Sequence, residues 1–184
     1  MKKMRRRFIL AAMAAFGAVM AVWLLGINLA NYYRTTSMQD ELAESLLGRE
    51  QRAFRRPGAA LPPMEDMPGG GPEAEFTIRF FAAHCDPAGR ILFLARDHIS
   101  SIDEDMAREY TEAALSGGKE RGRYGDYRYV VREDEMGITA LFLNVADSLQ
   151  YMRSLLLVSL GTGIGSLFVV FVLILFLSRY AIRP

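Results

Sequence analysis

Two long uncharged stretches constrain this chain more than any other feature. Residues 8–30 are 23 consecutive residues without a charge, and Asn28 is their one clearly polar side chain. Residues 155–177 form a second uncharged stretch of 23 residues, interrupted only by three hydroxyl-bearing side chains. At about 1.5 Å of rise per residue, each would form a helix of roughly 35 Å, enough to cross a hydrocarbon core of about 30 Å. We therefore predict two membrane-spanning helices.

The charged residues are divided between the ends and the middle of the chain. Five basic residues lie in 1–7, and Arg179 and Arg183 follow the second stretch, so the ends hold seven of the 22 basic residues and none of the 21 acids. Residues 31–153 carry all 21 acids with the other 15 basic residues, a net charge of −6. Because basic flanks remain in the cytoplasm, we predict a multi-pass protein of the cytoplasmic membrane, with both termini cytoplasmic and 31–153 extracytoplasmic.

A cleaved signal peptide is the alternative interpretation of the first stretch. Its apolar part is longer than the apolar region of a typical signal peptide, and no convincing A-x-A cleavage site follows it. An uncleaved anchor, preceded by a cytoplasmic basic N-terminus at 1–7, is therefore the favoured interpretation.

The segment after the first stretch divides into a helix and a linker. Met38, Leu42 and Leu46 recur every four residues within 31–56, which predicts an extracytoplasmic juxtamembrane helix with one apolar stripe. Such a stripe must pack on a neighbouring domain or on a second copy of the chain. Five of the seven prolines and a triple glycine fall within 57–73, which predicts a flexible Pro/Gly linker.

Residues 74–148 have the pattern of a small α+β domain with the order β-β-α-β-β. Alternating apolar residues and a turn-forming Asp-Pro-Ala-Gly sequence predict a hairpin over 75–97. Capping-box spacing at 101–104 predicts the start of a helix that ends at a double glycine. Further strands are predicted at 127–131 and 138–145, and the second is apolar on both faces, as a central strand is.

The final predicted strand leads directly into the second apolar stretch. We predict one helix over 149–177, and residues 178–184 as the start of a cytoplasmic linker. A shift of that strand would then reach the cytoplasm as a movement of the helix.

Residues able to carry chemistry form no recognisable catalytic motif. The sequence has no Ser-His-Asp order, no Cys-x-x-Cys, no His-Glu-x-x-His and no nucleotide-binding glycine motif. Cys85 is the only cysteine, so no internal disulfide is possible. His84 and Cys85 would point to opposite faces of a strand, which disfavours a metal site there. We therefore predict no catalytic residue, no cofactor and no metal ligand in this chain.

The stretch from Tyr124 to Tyr129 is the most distinctive part of the outer segment. One hypothesis makes Tyr124, Asp126, Tyr127 and Arg128 a sensing surface that grips a ligand. The favoured alternative has alternate tyrosines packing into the sheet while Asp126 stabilises a turn. The surrounding arginines are mixed with acids, which indicates a solvated surface and no nucleic-acid partner.

Small residues spaced four apart occur in both apolar stretches. This spacing lets helix backbones approach closely in a membrane, so we predict a homodimer packed through the two stretches. The residues concerned are Ala14, Gly17, Ala18, Ala21, Gly161 and Gly165.

Three short motifs carry a family resemblance. Gly125–Tyr129 reads Gly-Asp-Tyr-Arg-Tyr, 142–144 reads Phe-Leu-Asn, and 178–180 reads Ser-Arg-Tyr. With the flanking helices, they resemble the input half of bacterial two-component sensor histidine kinases of the Gram-positive, clostridial type. In that family the second and third motifs read Phe-Leu-Asp and Ser-Arg-Arg, so Asn144 replaces an acid. The resemblance runs from the first helix to Pro184 and is specific over 117–184.

The resemblance implies a sensor domain that is PAS/Cache-like at most, flanked by two transmembrane helices. It implies that the chain relays an unknown extracytoplasmic stimulus to a cytoplasmic autokinase and, through it, to a response regulator. ATP and Mg²⁺ would be needed only by that kinase module, which lies outside residues 1–184. A stand-alone membrane-tethered binding or regulatory module without kinase activity is the alternative, and the input part of a chemoreceptor or cyclase is a third hypothesis.

Overall fold

The computed structural model describes residues 2–180, with side chains described for 6–177. The predicted linker 178–184 therefore lies largely outside the described residues. The elements in chain order are α1 (Lys2–Arg55), a 3-10 helix η1 (Met64–Asp66), α2 (Ala74–Thr77), β1 (Phe80–Cys85), β2 (Ile91–Ala95), α3 (Glu104–Ser116), β3 (Arg121–Tyr124), β4 (Tyr127–Asp134), β5 (Gly137–Asn144) and α4 (Ala146–Tyr180).

The chain is an α+β protein with a long apolar helix on either side of a sheet domain. Arg34–Leu149 forms one compact unit, and the flanking parts of α1 and α4 form another. Both helices are long and apolar enough to cross a membrane, with mean hydropathies of 2.4 and 2.6 over their most apolar windows. Those windows are almost entirely exposed within the chain, unlike the core helix of a globular domain.

Helix α1 continues without a break to Arg55, one residue short of the predicted end. We call its part within the sheet domain, residues 34–55, the stalk helix. Its apolar stripe packs on the sheet, because Ala43, Leu46 and Leu47 have no exposed surface. Met38, which the four-residue spacing placed on the stripe, remains 44% exposed. A helix has 3.6 residues per turn, so residues spaced exactly four apart drift around the helix, and Met38 lies off the face that Leu46 occupies.

The sheet has five antiparallel strands in the order β2-β1-β5-β4-β3. Strand β5 lies between β1 and β4, which agrees with its apolar residues on both faces. The edge strand β3 was not predicted, so the observed order is β-β-α-β-β-β. Its sequence, Arg-Gly-Arg-Tyr, lacks apolar alternation, and three of its four residues are exposed, so no periodic signal marked it.

The sheet separates two apolar cores. The stalk helix, η1 and α2 cover one face, whose buried residues include Phe80, Ala82, Val130, Leu141 and Leu143. Helix α3 covers the other face, whose buried residues include Phe81, Ala83, Tyr127, Tyr129 and Phe142.

The β1–β2 hairpin was predicted too long at its start. Residues 74–77 form a helical turn in which the Glu73 carbonyl accepts hydrogen bonds from the backbone N–H groups of Phe76 and Thr77. Phe76 is consequently 82% exposed, and the strand begins at Phe80. The turn itself lies where predicted, with the Gly89 N–H donating to the Asp86 carbonyl at 2.9 Å.

The Pro/Gly segment 57–73 is packed against the domain, whereas a flexible spacer was expected. Met64 and Met67 are buried in the same core as Leu46 and Leu47. Gly70 allows this packing, since a Cβ there would collide with the Met64 carbonyl oxygen.

Helix α3 begins two residues later than its capping box predicted. Asp103, and not Ser101, is the N-cap, and its carboxylate accepts a hydrogen bond from the Met106 N–H at 2.8 Å. The predicted end is close to the observed one, with Gly117 as the C-cap.

Candidate functional site

The four residues of the predicted sensing surface do not form one site. Tyr127 is buried on the α3 face, with its ring 5.5 Å from that of Tyr110. Tyr124 packs on the same Tyr110 ring at 4.7 Å. Arg128 points to the opposite face of the sheet, and the Asp126 carbonyl oxygen accepts a hydrogen bond from the backbone of residue 145. The packing interpretation of the tyrosines therefore fits the structure better than a shared ligand surface.

Tyr129 shows why a glycine stands in strand β3. Its ring lies over Gly122 of the neighbouring strand, where a Cβ would be 2.7 Å from the tyrosine Oη. The same ring packs against Phe142 at 5.8 Å. Gly122 thus makes room for an aromatic residue of the core.

Arg128 and Asp40 join the stalk helix to strand β4. The guanidinium donates two hydrogen bonds to the carboxylate, at 2.5 and 2.8 Å, in the bidentate geometry that favours this pair. Both side chains are about four-fifths buried. Removing either partner would therefore leave the other as a largely buried, unpaired charge.

Three further polar contacts join the stalk helix to the sheet along its length. Glu44 accepts from Arg121 of β3 at 2.7 Å, in an exposed pair. Near the end of the helix, Asp134 of β4 accepts from Arg55 at 2.7 Å and from Gln51 at 3.0 Å. Together with the Asp40–Arg128 pair, we call these contacts the stalk latch.

The junction between β5 and α4 is a single residue, Val145. Its N–H donates to the Asp126 carbonyl at 2.8 Å, and its own carbonyl accepts from Leu149 at 2.9 Å. The Asn144 side-chain oxygen accepts from the Ala146 N–H at 3.0 Å, at the start of the helix. The Asn144 side chain thus satisfies a backbone N–H at the start of α4 that has no partner within the helix.

His84 is buried between the stalk helix and the sheet. Its ring stacks on Phe54 at 4.1 Å, and its Nδ1 lies 3.3 Å from the Thr139 hydroxyl. Burial lowers the pKa of His84 below 6.5, against an opposing effect of Asp134. The imidazole is therefore neutral at physiological pH.

Next to His84, a cleft of about 380 Å³ opens between the stalk helix and the β1–β2 hairpin. Its buried carboxylate is Glu50, whose pKa is raised by burial although Arg49 acts in the opposite direction. The sequence pattern did not lead us to predict that this carboxylate is buried. The one sequence signal for its burial is its position three residues after Leu47, on the same face of the helix. The cleft is lined by Glu50, Ala53, Phe54, Pro57, His84, Phe93, Ala95 and Asp97.

Cys85 is a packing residue. It is 2% exposed, and burial raises the pKa of its thiol to about 11, so it is un-ionised and unreactive at neutral pH. Within residues 2–180, no three His, Cys, Asp or Glu side chains lie close enough together to hold a metal ion.

The small residues of the apolar helices divide into two groups. Gly17 and Gly163 face the other apolar helix of the same chain, and Cβ positions at these glycines would lie 3.7 Å from Leu167 and 2.6 Å from Leu24. Gly163 was not among the predicted packing residues. The predicted residues Gly161 and Gly165 have no atom within 4 Å of a Cβ position, and Ala14, Ala18 and Ala21 are exposed within the chain.

No family model matches this chain. No curated protein and no solved structure matches it at a significant level.

Proposed function

We propose that this chain is the sensing and transmembrane portion of a two-component sensor histidine kinase. The resemblance of Gly125–Tyr129 and 142–144 to the clostridial type supports the proposal. A small α+β domain, with a five-stranded antiparallel sheet between two long apolar helices in the sequence, is consistent with the layout that the resemblance implies.

One observation carries the proposal: both apolar helices are continuous with structural elements of the sheet domain. The stalk helix is the continuation of the first apolar stretch, and the latch joins it to β3 and β4. Helix α4 follows the central strand β5 after one residue. A change in the sheet therefore acts on both apolar helices, which is what transmembrane signalling requires.

In the proposed mechanism, the domain has two states that differ in how the stalk helix and β5 are held. A stimulus that binds one state better shifts the population by its differential affinity alone. About 5.5 kcal/mol of difference would convert a 1:99 population into 99:1. In a homodimer the signal would pass through a bundle of four membrane helices to a cytoplasmic autokinase and then to a response regulator.

The proposal includes a two-pass topology in the cytoplasmic membrane, with both termini cytoplasmic and 31–153 outside. The basic ends and the net charge of −6 of the middle segment support this orientation. A Phe76→Cys variant in a Cys85→Ser background tests it, because Phe76 is 82% exposed on the sheet domain. A membrane-impermeant maleimide should label this variant in intact cells, and a Lys3→Cys variant only after permeabilisation. The reverse pattern would overturn the orientation.

The reading frame beyond Pro184 tests the kinase assignment. A His-Glu-Leu-Lys-x-Pro type segment soon after residue 184 would support it. A stop codon there would favour the stand-alone membrane-tethered module, and a methyl-accepting coiled coil would show a chemoreceptor.

A further inference from the structure

We infer that the cleft between the stalk helix and the β1–β2 hairpin is a binding site for a small organic cation of the alkylammonium class. The cleft combines three features that such a cation requires: aromatic walls, a buried carboxylate and sufficient volume.

The walls are formed by the rings of Phe54, His84 and Phe93. The His84 ring stacks on Phe54 with their centroids 4.1 Å apart, and its centroid lies 6.3 Å from that of Phe93. Phe54 and Phe93 are 37% and 51% exposed, so both keep ring surface free. Aromatic rings attract a cation held within about 6 Å of the ring centre. Because His84 is neutral, it does not repel a positive ligand.

Two carboxylates give the cleft its charge. Glu50 lies within it and is 8% exposed, and Asp97 lies at its rim close enough to act on Glu50 electrostatically. Among the residues whose side chains are described, Arg49 is the cation paired with Glu50, and its Nη1 donates to the carboxylate at 3.4 Å, longer than a strong charge-assisted hydrogen bond. The negative charge of the buried Glu50 carboxylate is thus only partly compensated by Arg49. A bound cation would supply the missing positive charge.

The shape of the cleft fits a small molecule. Its volume of about 380 Å³ lies within the range of roughly 300–1,000 Å³ usual for ligand sites. The short side chains of Ala53 and Ala95 leave this space open between the helix and the hairpin.

Other ligand classes fit less well. An anion would be repelled by Glu50 and Asp97, and a neutral apolar compound would bury Glu50 further without compensating its charge. A calcium ion needs about six to eight oxygen ligands, and the lining residues supply two carboxylates.

The site joins the stalk helix to the hairpin, so a cation bound there would stabilise one placement of the helix. This consequence rests on the proposed function, whereas the binding itself does not. A chain that binds the cation but has no kinase in its reading frame would overturn only the proposed function.

Calorimetry on the full chain in lipid nanodiscs tests the site, with choline and putrescine as probes. Choline should bind saturably. Its uncharged isostere 3,3-dimethyl-1-butanol should bind at least about tenfold more weakly. Glu50→Gln should weaken choline binding by about tenfold or more, and Phe93→Ala should also weaken it. Both variants are expected to fold, because glutamine removes a buried charge and Phe93 is half exposed. Protection of Cys85 from a maleimide would confirm this.

Two variants outside the cleft serve as matched controls. Glu109→Gln on α3 and Phe76→Ala on α2 alter exposed residues of the same types and should leave choline affinity unchanged. Failure of both probes to bind saturably, equal affinity for choline and its isostere, or unchanged affinity in Glu50→Gln would each overturn the site.

Discussion

Gly137, the first residue of β5, is held in a conformation that other residues rarely adopt. Its φ is 131°, and a Cβ there would collide with the carbonyl oxygen of Cys85 on β1. The tight turn from β4 to β5 and the close approach of β1 therefore both depend on the absence of a side chain. No local sequence pattern indicates this role, because the collision involves Cys85, 52 residues earlier in the chain.

Gly137→Ala should reduce the free energy of unfolding by about 3 kcal/mol, since it adds backbone strain and a steric collision in a buried sheet. The measurement is the temperature at which Cys85 reacts with a fluorogenic maleimide, because this buried thiol is protected until the domain unfolds. Gly48→Ala is the control: it lies in helix α1 with only the end of Arg52 nearby, at 3.9 Å, and should stabilise the chain by up to about 1 kcal/mol. Equal effects of the two substitutions would contradict this account.

At the scale of elements, the contacts between the stalk helix and the sheet distinguish the fold from a hairpin domain on a simple tether. Leu46 and Leu47 are fully buried, and the latch adds charged contacts at both ends of the interface. The sequence predicted an apolar stripe but could not decide between packing on the domain and packing on a second copy. Asp40 is 88 residues from its partner in the sequence, and Asp134 is at least 79 residues from each of its two partners. Separations of this size lie beyond the reach of a local sequence pattern.

Arg128→Ala and Asp40→Ala should each lower the free energy of unfolding by about 2 kcal/mol, because each leaves a largely buried charge without its partner. The double variant should lose less than the sum of the two, with a coupling of about 1–2 kcal/mol. Denaturant unfolding monitored by Cys85 labelling measures all three. The exposed Glu104–Arg108 pair on α3 is the control, and its cycle should show much weaker coupling. Additive losses at Asp40 and Arg128 would show that the pair does not hold the helix.

At the scale of the whole molecule, the small residues of the apolar helices fall into two groups. Gly17 and Gly163 face the partner helix of the same chain, whereas Gly161 and Gly165 have open space around them. Because Gly161 and Gly165 lie four apart on one helix, their open surface is where a second copy could approach.

Replacing both Gly161 and Gly165 with Ile should weaken self-association in a membrane reporter assay by about tenfold or more, because the bulky side chains hold the helices apart. Val169→Ile with Leu173→Ile, also four apart and exposed on α4, is the control and should leave association unchanged. Unchanged association in the glycine variant would place the dimer contact elsewhere.

The sequence by itself determined the features that depend on local patterns. Uncharged stretches of 23 residues gave the two apolar helices, and the run of apolar residues on both faces gave the central position of β5. Turn chemistry at Asp86 and the double glycine after α3 also located element ends, because these signals act within a few residues.

Only the tertiary structure decided which side chains meet. In the structure, β3 is a fifth strand of the sheet, Met64 and Met67 are buried, and Phe76 lies outside the sheet. The tertiary structure also packed Tyr127 against Tyr110 and paired Arg128 with Asp40, which separates the predicted sensing surface, and it brought Glu50 to the aromatic cleft. The physical reason is range: hydrophobic periodicity is a local property, whereas burial, ion pairing and steric exclusion arise between residues far apart in sequence.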